Sequence, residues 1–293
     1  MTAAQAADSA TTTSSGFSGS TGLSRRDYER LGRFIQGYSG IKMPPNKITM
    51  LEGRLRRRLR ATGYSSFADY CRYLFDEDGL DHEAVHLIDA VTTNKTEFFR
   101  EPDHFRLLRQ QILPDLMARK RGTSPLKFWS AAASTGAEAY TIAMILSEER
   151  ENWAQLRASI LATDICTEVL DSAVLAIYPE SMAVQIPAEF RRYVMQAKDR
   201  RSGTVRLVPE LRSQVHFARL NLMDDTYPVD KEQDVIFCRN ILIYFDKETQ
   251  LAVLTRLCDH LRPGGYLFMG HSETLAGFNL PLKLVGPTVF QRI

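Results

Sequence analysis

No apolar run in the 293-residue chain approaches the roughly 20 residues a membrane-spanning helix needs. The start has no basic segment followed by an apolar one, so no secretory leader is expected. Cysteine is scarce. Cys71, Cys166, Cys238 and Cys258 lie far apart and fit no zinc-ligand spacing. Buried, reduced thiols in a cytoplasmic protein are therefore expected, and no metal. The dinucleotide fingerprint GxGxxG is missing, which disfavours a nicotinamide oxidoreductase, and so is the phosphate loop GxxxxGK[ST]. Net charge is only +2, so no global field would gather nucleic acid. There is no internal repeat, and no heptad pattern demands a coiled-coil dimer.

What is present changes character along the chain. Residues 1–22 are mostly Ala, Ser, Thr and Gly with a single charge, Asp8, and are expected to form a disordered tail. Residues 23–90 carry helical periodicity and no strand-like alternation, so a small all-helical N-terminal domain is expected there. Ser24 with Asp27 reads as a cap for its first helix. Residues 91–124 read as a linker. From 125 to 293 short apolar runs alternate with amphipathic helices: strands at 126–131, 159–163, 234–238 and 265–270, helices at 137–149, 168–176 and 247–261. That alternation implies βαβ units, an α/β fold and a parallel sheet covered on both faces. The order breaks at about 178–218, where the runs at 192–195, 204–207 and 214–217 read as strands of an inserted antiparallel β-subdomain. Pro281 and Pro287 bracket a last strand or hairpin.

In LEGRLRRRLR (51–60), Ile48, Leu51, Leu55 and Leu59 share one helical stripe while Arg54, Arg56, Arg57, Arg58 and Arg60 fan over the rest. Residues 25–72 hold 12 basic and 4 acidic side chains, whereas 73–91 hold six acids and no Lys or Arg. A solvated helix face is one reading. A docking surface steered toward an acidic partner is the other. Nucleic acid is the weaker partner, because few aromatics interleave with these arginines.

A parallel sheet binds ligands at the carboxyl ends of its strands. Four such ends carry polar or small residues here: Ser134-Thr135-Gly136-Ala137-Glu138, Asp164, Asn221-Leu222 and Arg239-Asn240. Small side chains let a ligand approach the backbone. Asp164 suits a ribose hydroxyl, although a helix cap is an alternative role. Asn221 suits an adenine edge. Arg239 and Asn240 follow a buried run and must find partners or a ligand. Glu138 opposes a pyrophosphate at a helix N-terminus, so the four ends outline a nucleoside pocket without phosphate.

Six stretches together, TTNKTEFFRE (92–101), WSAAASTGAEAY (129–140), ATDICTEVLDSA (162–173), NL (221–222), IFCRNILIYFD (236–246) and LRPGGYLFMGHSE (261–273), resemble the CheR-type chemoreceptor glutamate O-methyltransferases over about 25–293. The resemblance implies a Rossmann-like S-adenosylmethionine-dependent domain with an inserted β-subdomain, behind a helical domain that docks on receptors. It implies cofactor contacts from Asn94, Thr96, Arg100, Glu138, Asp164, Asn221, Leu222, Arg239 and Asn240. Arg100 and Tyr244 match positions proposed beside the transferred methyl and the incoming glutamate. The implied partners are methyl-accepting chemoreceptors, met by Arg54, Arg56, Arg57 and Arg58. In some relatives the β-subdomain binds a receptor C-terminal tether. The implied place is the cytoplasm at receptor clusters, and the implied product S-adenosylhomocysteine. A cationic sulfonium makes Glu138 favourable where a phosphate would not be. Two departures stand out: Ala137 replaces the first of a usual glutamate pair, and Cys166 stands where an acid is common. His271 reads as a structural histidine. An amide-methylating [ND]PP[YFW] motif is absent, the fourth strand ending in CRNI, which sets aside a nucleic-acid methyltransferase. A non-catalytic module sensing S-adenosylmethionine is the remaining rival.

Overall fold

A computed structural model describes residues 22–120 and 122–293. The tail expected at 1–22 lies, except for Gly22, outside the described residues. The helical part holds α1 (Arg25–Ser39), α2 (Ile48–Thr62), α3 (Phe67–Asp76) and α4 (Leu80–Val91). Ser24 caps α1 by accepting the Asp27 amide, and Gly40 ends it in the left-handed conformation that costs glycine least. Tyr28, Leu31 and Ile35 of α1 meet Leu51, Leu55 and Leu59 of α2 in one core with Tyr70, Leu74, Leu87 and Ile88. The apolar stripe of the arginine helix is thus buried as its spacing requires.

The segment expected as a linker is itself helical. After α5 (Pro102–Leu107) comes a π-helical turn (Leu108–Ile112) and then α6 (Leu113–Arg119). Pro102 stands at the start of α5, where a missing N–H is harmless, and Pro114 comes just after the π-helical turn.

The α/β part holds β1 (Leu126–Ala131), α7 (Ala137–Asn152), β2 (Ala158–Asp164), α8 (Thr167–Leu175), β3 (Ile177–Pro179), α9 (Glu180–Ala183), β4 (Val194–Gln196), β5 (Thr204–Leu207) and α10 (Pro209–Arg212). It continues with β6 (Val215–Arg219), β7 (Gln233–Cys238), α11 (Lys247–His260), β8 (Leu261–Met269), β9 (Leu282–Gly286) and β10 (Val289–Arg292). The main sheet has the order β6-β2-β1-β7-β8-β10-β9. Its first five strands are parallel, and the C-terminal hairpin joins antiparallel. Alternate residues feed two cores. Phe128, Val235 and Phe237 enter one with α7, while Trp129, Ile236 and Cys238 enter the other with α11. Burial on both faces explains why these strands read as continuous apolar runs.

The inserted sheet exists but is built differently from the expectation. Its order is β3-β5-β4, all antiparallel. The run at 214–217 does not belong to it. That run pairs in parallel register with β2, Val215 opposite Ile160 through Arg219 opposite Asp164, as the edge of the main sheet. The third small strand is instead Ile177–Pro179, three residues ending in a proline. Alternation marks a strand without naming its neighbour, and a three-residue strand leaves no period to read.

Candidate active site

Strand register sets the site. Ala131 lies opposite Thr163 on one side and Cys238 on the other, and Asp164 lies opposite Arg219. The residues that follow these strands therefore emerge along one edge. The chain moves outward from β1 to β2 on one side and from β7 to β8 on the other, so a crevice opens between β1 and β7.

The turn after β1 is strained in the way a ligand cradle requires. Ala132, Ser134 and Gly136 all have positive φ, at 62°, 52° and 84°. A Cβ on Gly136 would come within 3.0 Å of Ala173 and of the Phe217 ring. Asp164 holds the turn: its Oδ2 accepts the Ser134 amide at 2.8 Å and its Oδ1 the Cys166 amide at 3.0 Å. Burial raises the Asp164 carboxyl above the ordinary carboxylate range, against the pull of those amides. Ser134 in turn donates to the Asn94 carbonyl at 2.8 Å, strapping the motif before α5 onto the turn. Asn94 Nδ2 reaches Cys166 Sγ at 3.5 Å, so the cysteine packs behind the site.

Glu138, in the first turn of α7, accepts from Ser130 Oγ at 2.7 Å and from Arg239 at 2.9 Å. Ala137 beside it is fully buried, where a glutamate would carry its charge into the core. The Arg239 side chain is 2% exposed and also donates to the Arg100 carbonyl at 2.6 Å and to Glu101 Oε2 at 3.0 Å. Asn240 sits at φ 59° and donates to Glu101 Oε1 at 3.2 Å. Burial works against the Glu101 anion, but Arg239 and the bonds from Asn240 and the His271 amide outweigh it and hold the carboxyl at about 2. Glu273 pins the loop after β7 by accepting the amides of Asn240, Ile241 and Leu242 at 2.7–3.0 Å.

These elements enclose a cavity of about 310 Å³. It is lined by Asn94, Thr96, Arg100, Glu138, Asp164, Asn221, Leu222, Arg239, Asn240 and Tyr244, every residue assigned to cofactor or catalysis from the sequence. The helical part supplies the lid: Lys47, Met50 and Arg54 line the cavity too. Asn221 spends its amide oxygen on the Met223 amide at 3.0 Å and one N–H on the Tyr38 carbonyl at 2.6 Å, which leaves one N–H for a ligand.

The four arginines expected at a docking face have different fates. Arg54 donates to the carbonyls of Val91 and Thr92 and to Thr93 Oγ1, as cavity wall. Arg58 grips Glu83 at 2.7 and 2.8 Å, and Tyr70 donates to the same carboxylate at 2.9 Å in the helical core. Arg57 pairs with Glu168 of α8. Arg56 is exposed, its guanidinium 5.8 Å from the Phe67 ring centroid. The spacing of the arginines separated buried from unburied positions but carried no information about these partners.

Sequence reasoning missed Glu101 and Glu273 as organisers of the Arg239 loop. A signal existed for Glu273: an acid closely following the buried run of β8 needs partners. The donor set fits a cationic nucleoside cofactor. Two carboxylates, Glu138 and Asp164, face a cavity with apolar walls, and Arg239 Nε is buried without a partner among the described residues.

The comparisons give the family. The model described as "CheR methyltransferase, SAM binding domain" matches residues 94–290, and "CheR methyltransferase, all-alpha domain" matches 26–92. The chain is 39% identical over 267 residues to chemotaxis protein methyltransferase 2 of Pseudomonas aeruginosa, covering 91% of this chain and 92% of that one. It is 39% identical over 269 residues to the chemotaxis protein methyltransferase of Escherichia coli, covering 92% and 91%. That of Borreliella burgdorferi is 35% identical over 274 residues, covering 92% and 95%. The chain belongs to the CheR methyltransferase family, and its cofactor is S-adenosylmethionine. Among the described residues no helix is long and apolar enough to cross a membrane.

Proposed function

We propose that this protein transfers a methyl group from S-adenosylmethionine to side-chain carboxylates of glutamates on the cytoplasmic helices of chemoreceptors, giving γ-glutamyl methyl esters. One observation carries this reading: six residues named at four strand ends and four named through the family motifs line a single cavity, whose lid is the basic helical domain. S-adenosylmethionine supplies an electrophilic methyl on a sulfonium. Glutamate, with a reference pKa near 4.3, is already an anion at neutral pH, so no general base is needed. The chain must supply alignment and exclusion of water. Glu138 and Asp164 hold the amino and ribose ends, Asn221 and Leu222 the base, and Arg239 with Asn240 the wall beneath. Asn94 and Thr96 close the side.

Arg100 steers the incoming carboxylate. Among the described residues its guanidinium makes one bond, to the Lys95 carbonyl at 3.2 Å, and no ion pair, which leaves it free to meet the substrate. Tyr244, across the cavity, positions the methyl or donates to the carboxylate. The domain division is 23–90 for docking, 91–124 for the cofactor-contacting connection, and 125–293 for catalysis with the β-subdomain inserted. Receptor docking falls to the exposed Arg56, with Arg57 at the junction. Arg54 acts inside the cavity and Arg58 inside the helical core. The β-subdomain is the candidate for a receptor tether, and the working place is the cytoplasmic face of receptor clusters.

The test is labelled-methyl transfer to receptor-containing membranes, after calorimetric binding of S-adenosylmethionine and S-adenosylhomocysteine. Alkali-labile label on the receptor is expected, because esters hydrolyse in base. Alkali-stable label would overturn the carboxylate reading, and cofactor binding with no transfer to any receptor would favour a sensing module.

A further inference from the structure

Behind the cavity wall, outside the methyl-transfer machinery, three side chains converge that the proposed reaction does not use. Glu101 immediately precedes α5, His104 lies one turn on, and His271 follows β8. Their ligating atoms all lie within 4.8 Å of one another. Glu101 Oε2 is 3.4 Å from His104 Nδ1 and 3.8 Å from His271 Nε2.

His104 is the informative member. Its side chain is 1% exposed. Nε2 lies 3.0 Å from the Pro287 carbonyl, an acceptor only, so Nε2 must carry the proton. That leaves Nδ1 with a bare lone pair, buried and without a hydrogen-bond partner among the described residues, 3.4 Å from a carboxylate oxygen. Two lone pairs facing each other at 3.4 Å are repulsive unless a cation lies between them. A backbone carbonyl fixing the tautomer of a buried imidazole is the outer-shell arrangement of metal-bound histidines. The surrounding charge agrees: two carboxylates, Glu101 and Glu138, pair with the one guanidinium of Arg239.

From this geometry we infer that Glu101 Oε2, His104 Nδ1 and His271 Nε2 form a binding site for a divalent transition-metal ion of the zinc class. Bonds of about 2.0–2.1 Å in a tetrahedron put neighbouring donors about 3.3 Å apart, so the Glu101–His104 pair already has the spacing. His271 closes the remainder. Its side chain is 46% exposed, which supplies both freedom to move and a path for the ion from solvent. The ion takes the Oε2 lone pair now lent to the His271 amide, which at 3.2 Å is the longer of its bonds. A water completes the fourth position. The bound ion clips the start of α5 to the loop after β8, next to the Arg239 network.

The experiment uses tag-free full-length protein, stripped with chelator and titrated with Zn²⁺ by calorimetry and with Co²⁺ by visible absorption. One equivalent should bind, with the intense visible bands of a tetrahedral Co²⁺ site, and Zn²⁺ should raise the melting temperature. His271→Ala, a surface change, should abolish binding and the thermal shift while the metal-free protein melts as wild type. His82 and His86 form an exposed i,i+4 pair on α4 that could chelate weakly, so His82→Gln/His86→Gln is the control and should bind like wild type. Absence of stoichiometric binding would overturn the proposal, and so would binding that survives His271→Ala or disappears in the His82/His86 variant. Each readout is independent of methyl transfer.

Discussion

Asp164 shows how one side chain ties fold to chemistry. It accepts two backbone amides that shape the turn after β1, and it also lines the cavity. Its raised pKa gives a signed prediction. The native state binds this proton more tightly than the unfolded chain, so its contribution to stability is largest at low pH and is lost as pH rises through the native value. Ligand binding runs the other way, because the ionised carboxylate is the better acceptor of ribose hydroxyls. Affinity for S-adenosylhomocysteine should therefore increase as pH rises through that value, and calorimetry across pH should find this arm missing in Asp164→Asn. Arg100 makes a sharper contrast. Among the described residues its side chain makes one weak backbone bond, so Arg100→Ala should leave the melting temperature almost unchanged. Methyl transfer should fall by about 100-fold, the scale of a lost alignment contact. Wild-type turnover in that variant would remove Arg100 from the mechanism.

Among the elements, α2 divides its work by position. Leu51, Leu55 and Leu59 hold the helical core, Arg58 closes a buried pair with Glu83, and Arg54 faces the cofactor cavity. Two substitutions one turn or less apart should then behave differently. Arg58→Ala strands a carboxylate that is 5% exposed and should cost about 3–5 kcal/mol of stability. Arg56→Ala removes an exposed side chain and should change stability by less than about 0.5 kcal/mol, while lowering receptor methylation. Denaturant melts paired with methylation assays separate the two, and equal stability losses would contradict this division. The periodic stripe was legible because 3.6-residue spacing is a local property. Arg58's partner was not, because Glu83 arrives from another helix.

At the scale of the molecule, the helical and α/β parts are sewn together at the edge of the cavity. Asp89 of α4 caps α8 by accepting the Thr167 amide at 2.9 Å, Asn221 reaches the Tyr38 carbonyl, and the Lys42 amide donates to the Tyr244 carbonyl at 3.1 Å. A Cβ on Gly40 at this junction would come within 2.7 Å of Met223 and 2.9 Å of the Phe245 ring, so the close approach requires glycine. The basic helix therefore presents its charge at a fixed distance from the cavity. A charged surface of this kind speeds encounter with an acidic partner and is screened over about 8 Å at physiological salt. Raising ionic strength should slow methylation of intact receptors through KM, with little change in S-adenosylhomocysteine affinity measured by calorimetry. A salt dependence shared equally by both would argue against docking through this face.

The sequence by itself determined the class of fold and the order of its parts, and it named ten of the residues that line the cavity, four of them only through the family resemblance. Helix caps, apolar stripes and buried runs are set by near neighbours, and the strand-end motifs sit where a parallel sheet must open. Only the tertiary structure decided which strands pair. It moved Val215–Arg219 from the inserted sheet to the main one and put Ile177–Pro179 in its place. It also decided which arginines remain exposed to a partner, and it brought His271 to Glu101 and His104. Those outcomes depend on contacts between residues remote in the chain, and local spacing carries no record of them.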